Sequence, residues 1–116
     1  MDHKELDVWK ESILLVEMIY GLSKLLPKEE LFNLTNQIRR AAVSVPSNIS
    51  EGCARKSDKE VLNFCFISIG SLAEIETQLI IVNRIYHIDV EKELSQTEKT
   101  KKILLGFIRY IKSKKS

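Results

Sequence analysis

A chain of 116 residues has material for one buried core and little for a second. Its composition, 44% apolar and 29% charged with Leu, Ile, Lys and Glu favoured over Gly, Pro and Thr, is that of a globular helical protein rather than a disordered or fibrous one, and its net charge of +2 is unevenly spread. No apolar run approaches the roughly 20 residues that cross a bilayer, and Met1 to Lys10 is acidic and mixed rather than basic and then apolar, so a cytoplasmic protein without membrane contact is expected.

The first predicted helix runs from about Asp7, read as its N-cap, to Leu25. Trp9, Ile13, Val16 and Tyr20 recur on one face and are expected to pack into the core. Pro27 opens the second helix, predicted over about 28–54, with Glu29 and Glu30 complementing the exposed N–H groups of its first turn. Leu31, Leu34, Ile38, Ala42, Val45 and Ile49 form its stripe, and Pro46 predicts a kink or a short break. Ser57-Asp58-Lys59-Glu60 is a capping box that starts a third helix, over about 58–86, with a broad stripe through Leu62, Cys65, Phe66, Ile69, Leu72, Ala73, Leu79 and Val82. Asp89 caps a fourth helix over about 90–112, weak between Ser95 and Lys102, and Lys112 to Ser116 is expected to fray. Short connections favour an all-α, antiparallel, up-down-up-down four-helix bundle with one domain over 1–116.

Cys53 and Cys65 lack the paired spacing of a zinc site and read as buried, reduced side chains. The sequence offers no glycine-rich phosphate loop, nucleophile elbow, paired histidines or Ser-x-x-Lys site. A protein with no catalytic residue, no metal and no cofactor is therefore expected.

Three segments carry a family resemblance: Gln37-Ile38-Arg39-Arg40-Ala41-Ala42-Val43-Ser44-Val45-Pro46-Ser47-Asn48-Ile49-Ser50-Glu51-Gly52, then Ser57-Asp58-Lys59-Glu60, then Gly70-Ser71-Leu72-Ala73-Glu74-Ile75-Glu76-Thr77-Gln78-Leu79. With Leu6-Asp7-Val8-Trp9-Lys10 and the stretch from Leu104 to Ile111, they resemble the bacterial four-helix-bundle proteins encoded by intervening sequences within large-subunit ribosomal RNA genes. Cys53, Cys65 and Tyr86-His87 depart from that pattern, which more usually has small, aliphatic or glycine-containing pieces there. The resemblance implies a homopentameric ring. The similar accessory proteins of diversity-generating retroelements bind nucleic acid and a reverse transcriptase, so RNA or DNA and a partner protein are the partners it suggests.

Two sets of residues could act. Arg39 and Arg40 diverge by about 100 degrees on one helix, so one of them lies near the apolar stripe. Glu76, four residues after Leu72 and three before Leu79, falls at the edge of the core or in it and needs a partner. Glu76 or Glu74 is therefore expected to pair with Arg39 or Arg40 between the second and third helices, fixing register. The second set is basic. Lys99, Lys101, Lys102, Arg109, Lys112, Lys114 and Lys115 close the chain with no acidic residue after Glu98, and Arg55, Lys56 and Lys59 cluster at the turn before the third helix. Repeated around a ring, they would attract a polyanion through its backbone, with salt sensitivity and little sequence preference. No aromatic stacking platform is legible beside them. The competing expectation is a protein-directed adaptor in which the lysines serve solubility.

Overall fold

A computed structural model describes residues 1–114; Lys115 and Ser116 lie outside the described residues. The fold is all-α, with four helices and no strand among the described residues: α1 (Asp7–Ser23), α2 (Leu34–Cys53), α3 (Asp58–Tyr86) and α4 (Glu91–Ser113). Each helix packs on its neighbours in sequence, and α4 closes on α1. α2 meets α3 through Ser44 with Ser71, Val45 with Ser68 and Gly52 with Phe64. At about 1.5 Å per residue the 29-residue α3 accounts for most of the 51 Å long axis.

The core is built from Leu15 and Ile19 of α1, Ile38, Val45 and Ile49 of α2, Leu72, Ile75, Leu79 and Val82 of α3, and Leu104 and Ile111 of α4, each almost fully buried. On α1 this differs from the expectation. Asp7 is the first helical residue rather than the cap, which is Leu6. The buried line is Val8, Ser12, Leu15, Ile19 and Leu22; Trp9, Ile13 and Val16 are half-buried on a second face, and Tyr20 is exposed. On α3, Phe66 and Ala73 are likewise exposed, while Val61, Ser68, Ser71 and Ile75 are buried.

The second helix starts later than its proline suggests. Lys28–Glu30 forms a 3-10 turn, Asn33 leaves helical backbone, and α2 begins at Leu34, so Leu31 is exposed rather than on the stripe. Glu30 sets this start: its carboxylate accepts from the Leu34 N–H at 3.4 Å and from Asn33 Nδ2 at 3.2 Å, and receives the Tyr86 hydroxyl from the end of α3. The Tyr86 bond holds the Glu30 carboxyl below its ordinary range and pushes the Tyr86 phenol up to about 12. α2 then runs unbroken through Pro46, so of the kink or short break expected there the break is absent. Ser68 Oγ donates to the Val45 carbonyl at 3.0 Å and Asn48 Nδ2 to the Ser44 carbonyl at 2.8 Å, side-chain bonds that tie down the turn around the proline.

The capping box of α3 forms as expected, with Ser57 Oγ accepting from the Glu60 N–H at 3.2 Å, although Glu60 reaches back to the Ser57 hydroxyl. At the next junction the N-cap of α4 is Val90 rather than Asp89, yet Asp89 Oδ1 still accepts from the Glu91 N–H at 3.0 Å. α4 is continuous through the stretch that looked weak. Gln96 Nε2 donates to the Glu11 carbonyl at 3.0 Å and its carboxylate at 2.9 Å, and Thr97 and Thr100 satisfy their hydroxyls on their own helix.

α3 ends on His87, the one non-glycine residue with positive φ among the described residues, at φ 56° and ψ 34°. A β-carbon costs about 1 kcal/mol in this left-handed region, which glycine occupies freely. His87→Gly is expected to raise stability by up to about 1 kcal/mol, read as a few degrees in Tm by thermal denaturation; a fall would show that the imidazole contributes more than its backbone costs.

Candidate nucleic-acid interface

The corner between α2 and α3 is set by Gly52. A β-carbon there would sit 3.0 Å from Phe64 Cβ and 3.4 Å from the Val61 carbonyl, so the helices approach closely only because position 52 has no side chain. The tight connection that follows lays the Arg55 guanidinium over the Phe64 ring, 4.9 Å from its centroid, with Nη2 donating to Glu51 Oε2 at 3.1 Å. The last turns of α4 arrive at the same corner. Lys114 Nζ lies 3.7 Å from Asp58 Oδ1, and Lys112 Nζ lies 5.6 Å from the centroid of Phe66. Two basic clusters far apart in sequence thus meet at the start of α3.

Glu51 engages Arg55 and Asp58 engages Lys114. Among the described residues Lys56, Lys59, Arg109 and Lys112 make no ion pair, and all four are exposed. Aromatic surface is interleaved with them: Phe66 is 48% and Tyr110 56% exposed, with Phe107 6.4 Å from Tyr110 and Lys114 Nζ 5.9 Å from the Tyr110 centroid. These rings are what the sequence does not disclose. Phe66 reads there as a core position, and only the packing of α4 on α3 brings it beside Lys112, whereas Tyr110 meets Lys114 one turn on in its own helix.

Lys99, Lys101 and Lys102 do not join this corner. Lys101 is about 16 Å from Lys112 along α4. Lys99 Nζ pairs with Glu11 Oε1 at 3.4 Å, and the Glu11 carboxyl is held below its ordinary range by the Gln96 amide and, less strongly, by Lys99. Lys101 shares a groove with Glu76 and Glu98. Basic charge is locally balanced there, leaving Lys102 as an exposed lysine without an ion pair among the described residues.

The expected pairing of Arg39 or Arg40 with Glu74 or Glu76 is absent among the described residues. Arg39 instead donates Nε–H to Ser23 Oγ at 2.7 Å and stacks 4.8 Å over the Tyr20 ring of α1. Glu76 is exposed on the side of α3 that turns toward Thr97 and Lys101 of α4, not toward α2. Glu74 and Arg40 line one open groove with Ser44 and Ser71, yet both remain exposed and form no ion pair among the described residues.

Cys53 and Cys65 are free and buried. Burial raises both thiols above their ordinary range, Cys65 to about 11. Neither should react with a disulfide reagent at pH 8 until the protein is denatured, when both should titrate; rapid labelling of the folded chain would contradict this burial.

A family model described as 23S rRNA-intervening sequence protein matches residues 4–106. Among solved structures, a protein of unknown function from the S23 ribosomal protein family of Bacteroides thetaiotaomicron is similar, with 25% identity and a TM-score of 0.79, over 87% of this chain and 97% of that one. No curated protein matches the chain.

Proposed function

Because this chain belongs to the 23S rRNA-intervening sequence protein family, we propose that it is a non-enzymatic protein that assembles with copies of itself and binds the backbone of RNA or DNA. The chain itself is an antiparallel up-down-up-down bundle in this reading, supported by contacts that rise on one helix as they fall on the next. Five copies form the ring that the sequence resemblance implies. The observation that carries the binding reading is the start of α3, where Lys112 lies 5.6 Å from the exposed ring of Phe66, Lys59 stands one heptad before that ring on the same helix, and Lys56 immediately precedes its N-cap. Ammonium groups without carboxylate partners can replace the counterions of a phosphate chain, and an exposed ring offers a base a stacking surface without reading its identity. A ring of copies repeats the corner and multiplies the field.

Fluorescence anisotropy of a labelled single-stranded RNA across a salt series tests this. Binding should be tight at low salt and weaken linearly on logarithmic axes as salt rises, with little dependence on base sequence. No binding at low salt would overturn it in favour of a protein-directed adaptor.

A further inference from the structure

The face of α3 that the chain leaves uncovered carries several large apolar side chains. Ile67, Ile80, Ile81 and Ile85 are all exposed, Ile85 by 59%. Between Val61 and Asn83 the only charged residues are Glu74 and Glu76. An 18-residue window of this helix reaches a mean hydropathy of 1.6 with 44% of it buried, so α3 has the length and apolarity of a spanning helix, contrary to the sequence expectation. A helix apolar all round is one that is covered all round, and a bare apolar face of this extent marks a contact surface. Ile67, Glu74 and Ile81 follow one line at heptad spacing. Gly70 sits beside them facing open space, and Gln78, whose Oε1 is buried without a donor among the described residues, lines the same groove.

A second uncovered apolar surface lies between α1 and α2. Trp9, Ile13, Val16, Val43 and Pro46 line an open groove there. Tyr20, Arg39 and Arg40 continue it. This is the α1 stripe that periodicity singles out; Trp9 and Val16 pack one edge of it against the core and it stays half-buried. It spans about 16 Å from Trp9 to Tyr20, against about 21 Å from Ile67 to Ile81 on α3.

We infer that these two surfaces are the two halves of one subunit contact: the α1/α2 groove of one copy seats on the uncovered face of α3 of the next, with Arg40 opposite Glu74. The inference rests on the self-assembly proposed above and names its interface. Charge selects the arrangement. Packing α3 against α3 about a two-fold axis at Glu74 would set that carboxylate against its own copy, and inserting the face into a bilayer would bury Glu74 without a partner. The α1/α2 groove instead offers apolar surface rimmed by two arginines. A contact between unlike faces is head-to-tail, the kind that closes into a ring. The ion pair missing within the chain is thereby made between chains.

Sedimentation velocity over a concentration series, on the full chain and on Glu74→Arg, Arg40→Glu, Ile81→Glu and the double variant Glu74→Arg/Arg40→Glu, tests this, with far-UV circular dichroism confirming that each folds. Each single variant should weaken assembly at least tenfold, and the double variant should recover to within about threefold of the unaltered chain. If the unaltered chain assembles and the single variants assemble equally well, or if the double variant fails to recover, the interface assigned here is wrong while self-assembly stands. If the unaltered chain is a monomer throughout, self-assembly itself is overturned, and this interface with it.

Discussion

Leu79→Ala is expected to lower stability by about 3 kcal/mol and Tm by roughly 10 °C, measured by thermal denaturation at fixed protein concentration. Leu79 is completely buried, and its neighbours Ile75 and Val82 on the same helix are equally enclosed. Truncation removes the transfer free energy of the lost carbons and leaves a cavity that rigid helices close only in part. The contrasting expectation on the same helix is Ile67→Ala. Ile67 is 50% exposed, so its truncation should cost the fold of the single chain much less while weakening assembly. A Leu79→Ala protein within about 1 kcal/mol of the unaltered chain would contradict the assignment of this face to the core.

The second large effect concerns binding. Reversing Lys56, Lys59 and Lys112 together to glutamate should lower affinity for single-stranded RNA more than tenfold at low salt. It should also reduce the slope of log affinity against log salt by about 2, from about 0.7 for each phosphate contact removed. All three side chains are exposed, so the fold should be unaffected. The same reversal at Lys99 and Lys101 should have a small effect, since Glu11 already engages Lys99 and Glu76 and Glu98 flank Lys101. Equal losses from both sets would show diffuse attraction by the whole basic end rather than contact at the corner.

Much of the architecture is legible where the signals are local. The capping box at Ser57 places the start of α3, and a broad apolar stripe without a proline carries it to Tyr86. Four helices follow from proline, glycine and polar punctuation. Periodicity is ambiguous on α1 because two apolar stripes lie side by side, and spacing alone does not say which one meets the core. The aromatic stripe is bulkier, but the smaller Val8, Leu15 and Ile19 fit the interior.

The remaining differences come from contacts distant in sequence. Glu30 delays α2 by binding its first N–H while Tyr86 holds the carboxylate from the far end of α3. The polar middle of α4 is stabilised by Glu11 of α1, which no local pattern reveals. Glu76 sits three and four residues from core leucines, yet a broad stripe has edges, and its edge faces α4 rather than α2. The basic residues of the candidate site are all visible in sequence as two runs. Their separation into a balanced part at Lys99 and Lys101 and a corner shared by Lys59, Lys112 and Phe66 depends on how α3 and α4 pack.

Sedimentation of the purified chain, alone and with labelled ribosomal RNA fragments, at low and at moderate salt, tests most directly the claim that this is an oligomeric polyanion-binding protein. The expected result is a ring-sized species that shifts when RNA is added and releases it as salt rises. A monomer, or a ring indifferent to RNA at low salt, would contradict it.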